Sequence, residues 1–145
     1  MALICDTSGV LALYDASNDD HAATAAVVEA EAGDLLVPVV LLAEIDYLLH
    51  NRLGADAARD FVRAIEREEF KVVPFEKTDI IRSAELLDQY HDLEIGLADA
   101  TVVATAERFN IFRLLSFDHR HFRAIVPRNT THFILLPADA DSIRE

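Results

Sequence analysis

ALICDTSGVLALY, residues 2–14, sets the reading of the whole chain. Ala2–Cys5 is a short apolar run of the kind found in a strand covered on both faces. Asp6 ends it at once, and Ser8–Tyr14 reads as a short helix. The same grammar then repeats. Leu35–Val37, Phe70–Val73, Phe112–Leu115 and Phe133–Leu136 read as further strands. Between them, Asp20–Ala32, Val39–Arg52 after Pro38, Ala55–Glu68 after Gly54, Thr78–Tyr90 with Thr78 as N-cap, and Ala98–Phe109 after Gly96 show helical spacing. Strands alternating with helices predict an α/β fold, with about five short parallel strands and helices on both faces. With only four Gly and four Pro, and no repeat, linker or low-complexity tract, residues 1–145 read as one domain. The acidic end, ADADSIRE, is expected to fray.

Composition narrows the class. No apolar stretch approaches the roughly 20 residues of a membrane span, and MALICDTSG has neither the basic start nor the apolar segment of a signal peptide. The lone Cys5 fits a buried strand position and a reducing, cytoplasmic setting. A net charge of −13 argues against broad binding of nucleic acid, which depends on neutralising phosphates. It does not exclude a nuclease, because clustered metal-binding acids raise the negative count and a bound cation reverses their local field. Basic character is almost all arginine, 11 Arg against 2 Lys, which suits a few forked contacts to phosphate or carboxylate.

Four of the 26 acids stand apart because each abuts or interrupts an apolar run: Asp6 in ICDTSG, Glu44 in LLAEIDYLL, Asp99 in GLADATVV and Asp118 in LLSFDH. An ionised carboxylate there loses hydration and needs compensation. Asp6 and Asp118 follow strands, and in open α/β sheets ligands bind beyond the carboxyl ends of strands. Asp99 falls in the first turn of its helix, where a simple dipole-stabilised acid is the competing reading. Glu44 reads as mid-helix, with an exposed helix acid as its competitor. Singly each has a bland explanation. Together they predict a pocket for a divalent cation, Mg²⁺ or Mn²⁺, because no His–Cys set accompanies them. His119 and His121, flanking Arg120 just beyond Asp118, have two readings, contacts to substrate phosphates and surface residues of a turn, and the second is the favoured one.

The ordered set Asp6, Glu44, Asp99 and Asp118, in the blocks ICDTSGVLALYD, VPVVLLAEIDYLL, IGLADATVVATAERF and LLSFDHRHF, resembles the acidic quartet of PIN-domain ribonucleases, and within them the VapC toxins of type II toxin–antitoxin pairs. Ser116 stands where such toxins often carry Thr, and the hydroxyl is retained. The resemblance implies a PIN-like fold, Mg²⁺-dependent hydrolysis of RNA, a homodimer, and inhibition by a cognate VapB-type antitoxin. It maps Asp6, Asp99 and Asp118 onto metal ligands and Glu44 onto the acid that reaches metal through water or orients the attacking water. Thr7, Ser8 and Ser116 map onto supporting hydroxyls. A folded RNA, a tRNA or ribosomal RNA loop, is the implied substrate. Arg120, Arg123 and Arg128 are the candidates for contacts to its backbone, with a solvated turn as the competing reading. Two rival functions stay open. A phosphohydrolase with Asp6 as nucleophile lacks the second Asp, since residue 8 is Ser. A non-catalytic interaction module with a relic site must explain why all four acids are intact.

Overall fold

The computed structural model describes residues 2–143. Five strands, β1 (Leu3–Cys5), β2 (Leu35–Pro38), β3 (Lys71–Val73), β4 (Arg113–Leu115) and β5 (Ile134–Leu136), form a sheet in the order β3-β2-β1-β4-β5. Every neighbouring pair is parallel, as short apolar runs separated by helices predict. The helices are α1 (Thr7–Tyr14), α2 (His21–Ala30), α3 (Leu42–Leu53), α4 (Ala55–Glu66), α5 (Lys77–Gln89), α6 (Leu97–Phe109) and α7 (His119–Ala124).

Strand order explains where a site forms. The chain steps outward from β1 through β2 to β3, then returns past β1 to β4 and β5. Right-handed crossovers therefore lay α1 to α4 on one face and α5 to α7 on the other. The packing agrees: α1 meets α2 and α3, α3 meets α4, and α5 meets α6. The direction of travel reverses between β1 and β4, and the crevice beyond their carboxyl ends is the place where such sheets bind ligands.

The core is built around β1 and α6. Leu3, Ile4 and Cys5 are fully buried, and burial pushes the Cys5 thiol far above its ordinary range. In α6 every residue from Ala100 to Ala106 is buried. A helix apolar nearly all round belongs inside, and its Ala, Val and Thr side chains are small enough to be enclosed there. At Gly9 the first turns of α1 lie directly on β4. A Cβ there would stand 2.3 Å from the Leu115 carbonyl oxygen and 2.8 Å from the Leu115 side chain.

Local boundaries depart from the sequence reading in two places. Val39–Leu41 is a 3-10 turn, so α3 starts at Leu42. The α5 N-cap is Glu76, not Thr78: the Asp79 carboxylate accepts the Glu76 backbone N–H at 3.0 Å and is itself held by Arg108 at 3.0 Å. A buried, charge-paired carboxylate outcompetes the weaker hydroxyl cap that Thr78 offers. Within the acidic end, Asp139 accepts the Leu135 N–H at 2.7 Å and one N–H from each terminal guanidinium nitrogen of Arg123. Ala140–Ile143 then form a 3-10 turn, and Arg144 and Glu145 lie outside the described residues.

Gly9→Ala is expected to lower the unfolding free energy by about 1–3 kcal/mol or more, since a backbone carbonyl cannot move aside as a side-chain tip can. Gly96→Ala, where a Cβ meets nothing within 4 Å, is expected to cost less than about 1 kcal/mol. Urea denaturation of both variants checks this, and equal losses would count against a special packing role for Gly9.

Candidate active site

The site begins with the register of β1 on β4. Cys5 pairs with Leu115, and the Asp6 N–H donates to the Leu115 carbonyl at 3.0 Å. That ladder leaves Asp6 beside Ser116 one step beyond both strands. The Ser116 hydroxyl donates to Asp6 Oδ2 at 2.8 Å and accepts the Asp118 N–H at 3.1 Å. The Ser8 hydroxyl accepts the Phe117 N–H at 2.9 Å and lies 3.4 Å from both Asp6 Oδ2 and Ser116 Oγ. Two of the three expected hydroxyls thus tie the end of β1 to the end of β4. The third, Thr7 Oγ1, is buried and has no hydrogen-bond partner among the described residues.

Asp6 is only 6% exposed. Burial pushes its carboxyl up to about 6, against the opposing pull of the Ser116 and Thr7 hydrogen bonds, and repulsion from Asp99 and Asp118 adds to the rise. Asp99, third residue of α6, is also raised, first by burial and then by Asp118. Its Oδ2 accepts the Gly96 N–H at 3.4 Å, the capping contact foreseen as its simpler role. The same oxygen also lies 3.2 Å from His121 Nδ1, a contact that capping does not account for. One oxygen each of Asp99 and Asp118 and a ring nitrogen of His121 all lie within 4.8 Å of one another.

His121 is not a surface residue of a turn. It sits in α7 with its Nδ1 2.9 Å from Asp118 Oδ2 and 3.2 Å from Asp99 Oδ2, and its Nε2 is 3.1 Å from the Leu93 carbonyl oxygen. Asp118 N-caps that helix through the His121 N–H. The sequence signal was present as D-x-x-H, an acid and an imidazole one helical turn apart. It was missed because the short helix α7 was read as a turn. His119 is half-buried, with its ring stacked on Phe117 at 6.5 Å.

Glu44 occupies the first turn of α3, not its middle, because the 3-10 turn delays the helix. It is exposed and makes no hydrogen bond to the other three acids among the described residues. Its place after β2 nevertheless sets it on the same edge of the sheet, where the Val39–Leu41 turn packs on α6. Of the candidate arginines, Arg123 is engaged by Asp139 at 2.7 and 2.8 Å, and Arg128 by Glu85 at 2.9 Å. Arg120 is exposed, with no ion pair among the described residues.

Comparison with known proteins finds matches along most of the chain. The model of the PIN domain family matches residues 3–126. Ribonuclease VapC26 of Mycobacterium tuberculosis is 34% identical over 135 residues, covering 93% of this chain and all of that protein. Among solved structures, M. tuberculosis VapC20, described as a sarcin-ricin loop cleaving toxin, superposes with a TM-score of 0.73 at 24% identity, over 80% of this chain and 89% of its own. VapBC2 from Rickettsia felis, bound to a DNA fragment from its promoter, gives a TM-score of 0.67 at 16% identity, over 93% and 97%.

The raised Asp6 carboxyl sets a pH dependence for the metal-free protein. The folded state holds this proton more tightly than the unfolded chain, so the associated stability is complete below about pH 4 and is lost as pH rises through about 6. The loss is on the order of 1–3 kcal/mol. Asp6→Asn removes the titration, so in EDTA its stability relative to wild type should rise between pH 5 and pH 7. Denaturant melts at the two pH values measure this, and a constant difference would contradict it.

Proposed function

The chain belongs to the PIN-domain family, and from that premise we propose that it works as a divalent-cation-dependent nuclease with Asp6, Asp99 and Asp118 as its metal ligands. Its near full-length relation to a VapC ribonuclease makes it an endoribonuclease of the VapC toxin type. The observation that carries the proposal is the convergence of Asp6, Asp99 and Asp118: Asp6 is buried and its proton affinity is raised by Asp99 and Asp118, and that of Asp99 is raised by Asp118. Carboxylates so arranged lower their energy by taking up a cation. A set rich in oxygen donors fits Mg²⁺, with Mn²⁺ as the closest substitute.

Within that reading each residue has a task. Asp6, Asp99 and Asp118 hold the ion, which when bound supplies positive charge to the scissile phosphate. Ser116 and Ser8 fix the Asp6 carboxylate and the backbone leading to Asp118. Glu44, the exposed acid on the same edge, orients the attacking water.

The substrate we propose is a folded RNA presenting a splayed loop, of tRNA or ribosomal RNA. A −13 protein neutralises few phosphates, so shape must carry more of the selectivity than charge. The cleavage of the sarcin-ricin loop by VapC20 supports that class. Arg120 is the remaining candidate for a phosphate contact. We propose a VapB-type antitoxin that brings a cationic side chain to the acidic edge, and a homodimeric toxin acting in the cytoplasm. The VapBC2 complex supports an antitoxin partner.

Asp6→Asn and Asp99→Asn are expected to reduce RNA cleavage by roughly a hundredfold or more and to abolish growth arrest, with the fold retained. Mapping RNA 5′ ends after induction should show one or a few cuts in structured RNA, absent in both variants. Cuts scattered across messages would remove the folded-loop proposal, and arrest that persists in Asp6→Asn would remove the metal site. Arg120→Ala should flatten the salt dependence of RNA binding by about one counterion. An unchanged slope, measured by binding titrations from low to high salt, would leave Arg120 without that role.

A further inference from the structure

His121 places a nitrogen among the carboxylates that the metal assignment above leaves unused. Its Nε2 lies 3.1 Å from the Leu93 carbonyl oxygen, and a carbonyl only accepts, so Nε2 carries the hydrogen. In the neutral ring the lone pair then sits on Nδ1. That lone pair faces Asp118 Oδ2 at 2.9 Å and Asp99 Oδ2 at 3.2 Å. Three electron-rich atoms at such distances repel unless positive charge lies among them. The spacing suits a metal ion: adjacent ligands of an octahedral cation with bonds of about 2.1 Å are about 3 Å apart. The Leu93 contact also supplies what a ligating imidazole ordinarily has, a backbone carbonyl that takes the other ring N–H and fixes tautomer and orientation. Asp6 stands outside the group of three donor atoms that share the 4.8 Å span.

We propose that His121 Nδ1 is a direct ligand of the cation, alongside Asp99 and Asp118, making this a mixed nitrogen–oxygen site. The proposal rests on the metal-dependent reading above and deepens it, because it predicts which ion the site prefers. An imidazole donor favours transition ions over Mg²⁺, so Mn²⁺ binds this chain more tightly than an all-carboxylate site would allow. Sequence alone favours an oxygen-only set, because no His–Cys set accompanies the acids. Here the nitrogen comes from a single His one helical turn after a carboxylate.

The test uses the full chain loaded with Mn²⁺ and read by pulsed electron paramagnetic resonance. A coordinated imidazole gives nitrogen modulation of the electron spin echo. That modulation should change from ¹⁴N to ¹⁵N character in protein made with ¹⁵N-histidine. It should vanish in His121→Gln and persist in His119→Gln, the neighbouring control. By titration, Mn²⁺ affinity should fall roughly tenfold or more in His121→Gln, and Mg²⁺ affinity by less. Bound Mn²⁺ without histidine nitrogen coupling would overturn the ligand assignment and leave the carboxylate site standing, with His121 then only a protonated partner of Asp99 and Asp118. Coupling that survives in His121→Gln would overturn it too. No binding of Mn²⁺ at all would overturn both this proposal and the metal site. If His121→Gln does not fold, the isotope exchange in wild type and His119→Gln decides the matter.

Discussion

A buried carboxylate at the end of the central strand is the constraint around which this molecule is arranged. Asp6 leaves β1 at the point where the sheet reverses direction, and its Oδ2 takes the Ser116 hydroxyl across the β1–β4 boundary. That contact exists only because Cys5 and Leu115 are in register, and because Gly9 lets α1 sit on the Leu115 backbone. Ser116 in turn holds the Asp118 N–H, Asp118 caps α7, and α7 carries His121 back to Asp99. The result is a ring of contacts from β1 through β4 and α7 to the start of α6. A buried anion in such a ring is costly in isolation, and proton or cation uptake is the response that relieves it. In the proposed function, stability and activity meet at the same atoms.

Much of this was legible in the residues. The five strands fall within a residue of where their apolar runs place them, because a sheet covered on both faces selects continuous apolar segments. The acids at strand ends were legible for the same reason: each breaks an apolar run that nothing else required to break. What failed was local and geometric. Pro38 marked the end of β2, but the 3-10 turn after it moved Glu44 into the first turn of α3, and periodicity does not distinguish a 3-10 turn from the start of an α-helix. Thr78 looked like the cap of α5, yet Asp79 holds the Glu76 N–H because Arg108, from the neighbouring helix α6, fixes it. His121 escaped because α7 is only six residues long, too short to show a period. Tertiary partners decided each of these, and a single sequence does not display them.

The arginines follow the same logic. Their number suits forked contacts to phosphate or carboxylate, and among the described residues the structure commits most of them to carboxylates. Arg82 is forked onto Glu107, Arg108 onto Asp79 and Arg123 onto Asp139, and Arg113 Nη1 meets Glu31 Oε2 at 2.6 Å. Arg128 bridges to Glu85. Such pairs hold neighbouring elements in place rather than enlarge the electrostatic footprint. Arginines so engaged leave few free to meet phosphates, in keeping with the proposal that an RNA is recognised by shape and a partner brings its own positive charge.

The central claim is that the edge of the sheet beyond β1 and β4 is a cation site. Crystals grown with Mn²⁺ and measured at a wavelength near its absorption edge test that claim most directly, because anomalous scattering reports the ion itself. The account predicts an anomalous peak bounded by Asp6, Asp99, Asp118 and His121. A structure at the same Mn²⁺ concentration with no peak at that edge, or with peaks only at scattered surface acids, would contradict it.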